Sequence, residues 1–578
     1  MSEVLNIEYL KKVLYLFGRQ KRYIPFLIAS FAIGSIIDFI GIGFVGPFLA
    51  LFIDPDSVIE SNEFFERFTQ EELILYAGIF LVAIFGLRVS VSYFIFRFIL
   101  SVTFNRQIFL REELANAFFS QDFSNRLEKN SGYYQTAIVS LCTQYTNTST
   151  NCLRLISECI TLSVIIILLC FVDIQILITI FIILAFFLIA YFKLITSSIS
   201  SAGKNKIIGL NKLNQSMSEI IKGLKEIKIL NLGNFFANRI FQSATITAES
   251  EKKIYLHSFL PRYFLEFVLV FTLTFVLIFS IQSGVPIEVL IAKLGVFLVA
   301  SLRLLPASVS IVQTLNNLSI DKPAVLQLYE EVIKINKMRL QSLGGDNKKI
   351  NFELKSSKLE LKNIFFKYPN TSDYVLEDIN LTINNGDFIG IRGESGSGKT
   401  TLIDLILGIY RPTSGEIEIN GINIHESLNS WQSNIAYLPQ ETFLIDGTVI
   451  ENIAIGMNRE SFSEKEIINS LKRAQIFEHV NKLDEGIESQ IGDAGLLLSG
   501  GQKQRLAIAR AFFNKRNVFI FDESTSALDA ASEEKILNQI YELSLSGATI
   551  IMISHKMSSL RNCNKIIDID NKRIKKVN

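Results

Sequence analysis

Six apolar runs, each about the 20 residues that a helix needs to cross a bilayer, begin near Ile24, Leu73, Leu153, Ile174, Phe259 and Val289. In hydrocarbon no water satisfies a backbone N–H or C=O, so such runs must fold as helices. The third and fourth are nearly continuous, with only Asp173 and Gln175 marking a tight turn. Composition agrees: 49% of the 578 residues are hydrophobic and the mean hydropathy is +0.33, more apolar than an ordinary soluble enzyme. The formal net charge of +1 offers no broad basic field to nucleic acid. The five cysteines, Cys142, Cys152, Cys159, Cys170 and Cys563, form no CxxC pair and read as reduced packing residues, with no disulfide framework or metal site.

Loop charge orients the spans. The N-terminus carries Lys11, Lys12, Arg19, Lys21 and Arg22, and the connection 196–258 carries Lys204, Lys206, Lys212, Lys222, Lys225, Lys228, Arg239, Lys252 and Lys253. The stretch between the first two spans, "DPDSVIESNEFFERFTQEE", has one basic residue, Arg67, among many acids, and "IQSGVPIE" between the last two has none. The N-terminus, the two long connections and everything after the sixth span are therefore expected in the cytoplasm. Nothing at the N-terminus resembles a cleavable signal peptide; "MSEVLNIEYLKKVLYLFGRQKRY" reads as an amphipathic helix on the membrane surface. In the outer stretch, Val58, Ile59, Phe64, Phe65 and Phe68 fit either an ordinary loop or a short interfacial helix.

After about residue 340 the pattern changes to short strands, glycine turns and amphipathic helices, a soluble α/β domain. We expect two domains, 1–345 and 346–578, meeting in "QSLGGDNKKINFELKSSK".

The second domain carries "GESGSGKT", Gly393, Glu394, Ser395, Gly396, Ser397, Gly398, Lys399 and Thr400, followed by Thr401. It fits GxxxxGK[ST] in full and sits between a strand-like and a helix-like stretch, as that motif requires. The glycines let backbone N–H groups surround phosphate oxygens, and the helix N-terminus adds its positive end. Lys399 is expected on the β- and γ-phosphates and the Thr400 hydroxyl on Mg²⁺. "VFIFDES" is an apolar strand that ends in two acids, suited to deliver Asp522 to the metal and Glu523 to the attacking water as general base. Alone, an apolar strand ending in Asp-Glu is most often a plain strand terminus; the upstream phosphate loop removes that reading.

"LSGGQ", Leu498–Gln502, followed by "KQRLAIARA", resembles the signature of the ATP-binding cassette (ABC) transporter family. The resemblance spans about 351–570. It implies that Ser499, Gly500, Gly501 and Gln502 close on the γ-phosphate of ATP held by a second cassette, and that Tyr368 in "FKYPN" stacks on adenine. It also implies that Gln440 in "YLPQ" links metal and water to the membrane domain, that "SALD" (526–529) contacts the other cassette, and that His555 in "ISHK" is the switch at the γ-phosphate. "SHKMSS" departs mildly from the commoner form, and Ser524 replaces the usual alanine. The implied fold is an all-α six-helix transmembrane domain of ABC exporter type plus an α/β P-loop nucleotide-binding domain. One cassette with six spans implies a half-transporter, expected as a homodimer; a heterodimer with a degenerate partner stays open. Two stretches, 120–134 and 218–232, are candidates for helices that couple the membrane domain to the cassettes. No periplasmic binding domain, peptidase segment or nucleic-acid motif is visible, so export or flipping is expected over import.

Three arginines lie within spans: Arg88, Arg262 and Arg303. Counted at 1.5 Å per residue, Arg88 and Arg303 fall roughly 22 Å below the outer ends of their spans, in the inner half of a bilayer about 30 Å thick. Charge alone leaves two readings. The guanidiniums suit a bidentate phosphate or pyrophosphate partner; or they are structural, Arg262 paired with Glu266 and Arg154 with Glu158 one turn away, with Arg88 and Arg303 snorkelling to headgroups. The membrane half, through "FIGIGFVGPFLALF", Arg88, "PRYFLE" and "SLRLLPAS", is similar to bacterial ABC flippases of lipid-linked oligosaccharides. That similarity implies the pyrophosphate reading for the three arginines, contact of the outer stretch with a polyprenyl tail, and residence in a bacterial cytoplasmic (inner) membrane. Rival readings are an exporter of peptides, drugs or other lipids, and an ATP-gated channel or membrane regulator.

Overall fold

The computed structural model describes residues 7–53, 68–120, 131–282, 287–343, 358–369, 371–492, 495, 497–525 and 528–577. They fall into two compact units, those up to 341 in one and those from 342 in the other. The first is helical throughout. Its principal elements are α1 (Ile7–Phe17), α2 (Ile24–Ile53), α3 (Gln70–Ser120), α4 (Cys142–Val172), α5 (Ile174–Lys222), α6 (Leu224–Ile229), α7 (Gly233–Gln282) and α8 (Ile287–Leu343). Each apolar run lies in one long helix. Among the described residues, four helical stretches are long and apolar enough to cross a membrane: 7–49, 70–119, 132–171 and 296–337.

The break between the third and fourth runs is one residue: Asp173, in extended conformation, ends α4 and α5 begins at Ile174. The helices α3, α5, α7 and α8 have 51, 49, 50 and 57 residues. At 1.5 Å per residue that is about 75 Å or more, over twice a hydrocarbon core of about 30 Å. The basic connection 196–258 is thus largely helix, continuing α5 and α7. These two pack so closely that a Cβ on Gly209 would lie 2.4 Å from Thr247 Oγ1 and 3.2 Å from Ser243 O. The helix α8 runs unbroken through Pro306 and Pro323.

The membrane-surface expectation for the N-terminal helix is revised. Tyr9, Val13, Leu16 and Phe17 of α1 are buried in one cluster with Leu110, Leu114, Tyr145 and Leu328. The apolar stripe faces protein, and Arg106, donating from Nε to Leu16 O (2.6 Å), pins the end of α1 to α3. Residues Ser57, Val58, Ile59, Phe64 and Phe65 of the outer stretch, most of the coupling candidate 120–134, the centre of the expected domain junction, and Ser526 and Ala527 lie outside the described residues.

The second unit has two sheets. β1 (Lys358–Phe366), β2 (Leu376–Asn384), β4 (Ser414–Ile419) and β5 (Ile422–Asn423) form an antiparallel sheet in the order β2-β1-β4-β5. β3 (Phe388–Gly393), β6 (Ile435–Leu438), β7 (Val518–Asp522), β8 (Thr549–Ile553), β9 (Lys565–Asp570) and β10 (Arg573–Val577) form the other, ordered β10-β9-β3-β8-β7-β6. All its pairs are parallel except β10 with β9. A parallel sheet is covered on both faces, and β7 shows this. Val518 and Ile520 enter the cluster shared with the antiparallel sheet and α9 (Lys399–Ile406), while Phe519 and Phe521 enter the cluster shared with α10 (Gly500–Phe513) and α11 (Ala530–Leu545). The C-terminal ends of β3, β7 and β8 therefore emerge side by side from a buried platform, where ligands of open α/β sheets sit.

Candidate functional site: a phosphate cradle and a charged membrane cavity

The phosphate loop connects β3 to α9. Gly398 adopts φ +99, and a Cβ there would fall 2.8 Å from Leu376 Cδ2, so the turn that starts the helix requires glycine. Lys399 is buried, and its Nζ donates to Gly393 O and Glu394 O at 2.8 Å each, curling back over the loop. Ser397 Oγ is buried in the same loop without a hydrogen-bond partner among the described residues. A buried orphan hydroxyl, a buried ammonium and a glycine loop at a helix start make a site shaped for phosphate oxygens. Thr400 is exposed beside them and Thr401 is buried.

At the end of β7, Asp522 is buried. Burial first, then the adjacent Glu523 carboxylate, push its carboxyl above the usual range, and Lys399 opposes them. A buried carboxylate such as Asp522 suits a hard divalent cation. Glu523 has φ +48 and donates its N–H to Ile553 O at 3.2 Å. Its Oε2 accepts from Gln440 Nε2 at 3.1 Å, and its Oε1 lies 3.0 Å from His555 Nε2. Glu523, the expected base, is thus brought together with Gln440 and His555.

Tyr368 is held by its hydroxyl, 2.9 Å from Thr401 Oγ1, and by edge contacts with Phe366 and Tyr410 at 5.2 and 5.6 Å. This places it beside the phosphate loop. The signature residues open α10. Ser499 is its N-cap, with Ser499 N donating to Gln502 Oε1 (2.7 Å) and Gln502 N to Ser499 Oγ (3.3 Å). Ser499 and Gly500 are exposed and Gly501 and Gln502 half-buried. Asp529 caps α11 through Ser532 N at 2.9 Å and receives Arg505 of α10.

In the helical unit, Arg88 of α3 and Arg303 of α8 meet one carboxylate, Asp38 of α2. Arg88 Nε lies 2.6 Å from Asp38 Oδ1, and Arg303 Nη2 3.3 Å from Asp38 Oδ2. Both arginines line a cavity of about 300 Å³ together with Arg154, Glu158, Ser35, Ser92, Ser157, Thr161 and the apolar Phe31, Ile95, Phe96 and Ile99. Arg262 is not among its lining residues; it is exposed on α7, paired with Glu266 at 3.0 Å. Within one chain, Arg88 and Arg303 meet on Asp38, and Arg154 is the third guanidinium of the cavity.

Sequence reasoning passes over Asp38, although an acid inside an apolar span is itself a signal. It also passes over Glu533 of α11, a buried carboxylate behind the ATP site, for which one acid in a first helical turn gives no comparable cue. The stretch 218–232 folds as the end of α5, the short α6 and the turn into α7, with Ile221, Leu224, Ile229, Leu230 and Leu232 exposed.

Residues 376–526 match the family described as ABC transporter. Two relatives are similar to part of the chain. "Multidrug resistance protein 1" of Entamoeba histolytica is 37% identical over 285 residues, 47% of this chain and 21% of that protein. A "Putative multidrug export ATP-binding/permease protein" of Staphylococcus aureus is 38% identical over 223 residues, 38% of each chain. The chain thus spans well under half the length of either relative. Its second unit is an ABC-type ATP-binding domain with an α/β fold, and it follows a unit of long apolar helices.

Proposed function

We propose that an ABC cassette joined to apolar helices makes this chain half of an ATP-driven exporter, a homodimer in a bacterial cytoplasmic membrane with its N-terminus and cassette in the cytoplasm. The observation that carries the reading is Glu523, set between Gln440 and His555 beside a phosphate loop with a buried lysine. Backbone N–H groups of 393–398 and Lys399 bind the β- and γ-phosphates of ATP. Glu523 takes the proton of the attacking water, and Gln440 and His555 hold that carboxylate on its line. Thr400, Gln440 and Asp522 would hold Mg²⁺, which would supply positive charge against the phosphates. Ser499 to Gln502, exposed at a helix start, serve the ATP held by the partner's cassette. Hydrolysis is coupled to alternating access of the helical units, with the stretch 218–232 as the candidate for that coupling.

For the cargo, we read a polyprenyl-pyrophosphate-linked oligosaccharide moved from the inner to the outer leaflet. The support is the cavity chemistry: three guanidiniums against two carboxylates leave one positive charge in excess, and the hydroxyls of Ser35, Ser92, Ser157 and Thr161 stand beside them. An exporter of amphipathic drugs is the rival reading; the relatives' names and the apolar wall of Phe31, Ile95, Phe96 and Ile99 favour it. Vesicles reconstituted with the full chain separate them. Inward-facing lipid-linked glycan is expected to reach the outer leaflet with ATP and to stay when Glu523→Gln is used. Dye transport with no glycan movement would select the rival.

A further inference from the structure

One buried carboxylate ties together the two loops that deliver Glu523 and His555. Glu533 sits in the first turn of α11 and is 7% exposed. Its Oε1 accepts from Thr525 Oγ1 and from Ser559 Oγ, both at 3.1 Å, and its Oε2 accepts from Lys556 Nζ at 2.8 Å. Thr525 stands two residues after Glu523, and Lys556 directly follows His555. Thr525 and Ser559 are themselves buried. The base of this clamp is rigid: Asp529 caps α11, and Glu533 N donates to Asp529 O at 2.8 Å.

Glu523 needs such support. Its φ of +48 lies in the left-handed region, which disfavours a residue with a Cβ by about 1–2 kcal/mol, so surrounding structure must hold it there. The next residues offer little of their own, since Ser524 Oγ is buried without a partner among the described residues. The hydroxyl of Thr525 is the side chain just downstream that is anchored, and its anchor is Glu533. The same carboxylate fixes the loop after His555 through Ser559 and Lys556. Together with the Glu523 N–H donated to Ile553 O at 3.2 Å, these two anchorages frame the 3.0 Å approach of His555 to Glu523.

We propose that Glu533 is a positioning residue for ATP hydrolysis. It touches neither nucleotide nor water; it sets the distance and direction between the general base and the switch histidine. This rests on the reading of Glu523 as the base. Misplacing a reacting group by about 1 Å costs on the order of 100-fold in rate, whereas the phosphate loop, which holds most of the nucleotide's charge, has no contact with Glu533 among these hydrogen bonds.

The experiment uses the full chain, purified in detergent, with steady-state ATPase rates and the affinity of a fluorescent ATP analogue measured on folded protein. Glu533→Ala is expected to lower kcat by roughly 10- to 100-fold with nucleotide affinity and KM within about twofold of the parent. Glu533→Gln keeps a carbonyl oxygen for Thr525 and Ser559 and is expected to restore most of the rate, since Lys556 is half-exposed and finds solvent. Unchanged kcat in Glu533→Ala, or affinity and rate falling together, would overturn the proposal. If Glu533→Ala does not fold, Thr525→Val and Ser559→Ala decide: a loss in kcat alone supports it and an unchanged rate sinks it. Glu523→Gln, run alongside, tests the base assignment separately, because retained turnover there defeats that assignment whatever Glu533 does.

Discussion

Arg88 Nε lies 2.6 Å from Asp38 Oδ1, and this pair ties the first apolar helix to the second while the other carboxylate oxygen takes Arg303 from the last. Asp38 is nearly buried, whereas Arg88 and Arg303 keep 18% and 33% of their side-chain surface. Removing the shared carboxylate strands two guanidiniums at once; removing either arginine strands none. Asp38→Ala is therefore expected to lower the thermal stability of the helical unit more than Arg88→Ala or Arg303→Ala, by roughly 1–3 kcal/mol for groups left unpaired. Melting of the detergent-solubilised variants checks the order.

The same geometry separates the three arginines in transport. Arg88 and Arg303 face the cavity, and Arg262 is spent on Glu266 at the exposed surface of α7. Flux of a pyrophosphate-linked glycan into vesicles is expected to fall at least about tenfold in Arg88→Ala with Arg303→Ala, as one lost charge-assisted contact is worth about 1.5–3 kcal/mol. Arg262→Ala is expected to lose less. Equal losses for all three would place Arg262 at the substrate as well.

Much of this was legible in the chain. Glycine spacing, an apolar strand ending in two acids, and a histidine after a second strand are local patterns, and β3, β7 and β8 lie adjacent in a parallel sheet, so their loops had to meet. What was not legible depends on contacts distant in sequence. Asp38 and Arg303 are 265 residues apart, and no period or motif links them. Likewise, the apolar stripe of α1 has the same spacing whether lipid or protein covers it; what fixes which are partners distant in sequence, Leu110, Leu114, Tyr145 and Leu328 in the cluster and Arg106 on Leu16 O.

In the cassette, Lys399 and Glu523 divide binding from chemistry. Lys399→Ala removes the buried ammonium that curls over the phosphate loop, and ATP affinity is expected to fall about 10- to 100-fold, the loss of a charge-assisted bond of roughly 1.5–3 kcal/mol. Glu523→Gln keeps the hydrogen-bonding shape and removes the base, so ATP still binds while turnover falls about 100- to 10,000-fold. Fluorescent-nucleotide titration and phosphate release measure the two effects. A Glu523→Gln protein that hydrolyses at the parent rate would remove this residue from the mechanism.

Asp404 supplies a pH test that needs no nucleotide. It lies on α9, where burial first and the Asp522 carboxylate second push its carboxyl from 3.8 up to about 6. A folded-state pKa above the unfolded value means the folded state holds its proton more tightly. The resulting stability is fully present below about pH 3.8 and is lost as pH rises through about 6. Asparagine has no proton to lose. Asp404→Asn is therefore expected to stabilise the metal- and nucleotide-free protein at pH 7.5 relative to the parent. The advantage shrinks at pH 5, where the parent regains its proton. Thermal melts of both proteins across that range check the sign, and an advantage that grows toward acid pH would contradict the assignment.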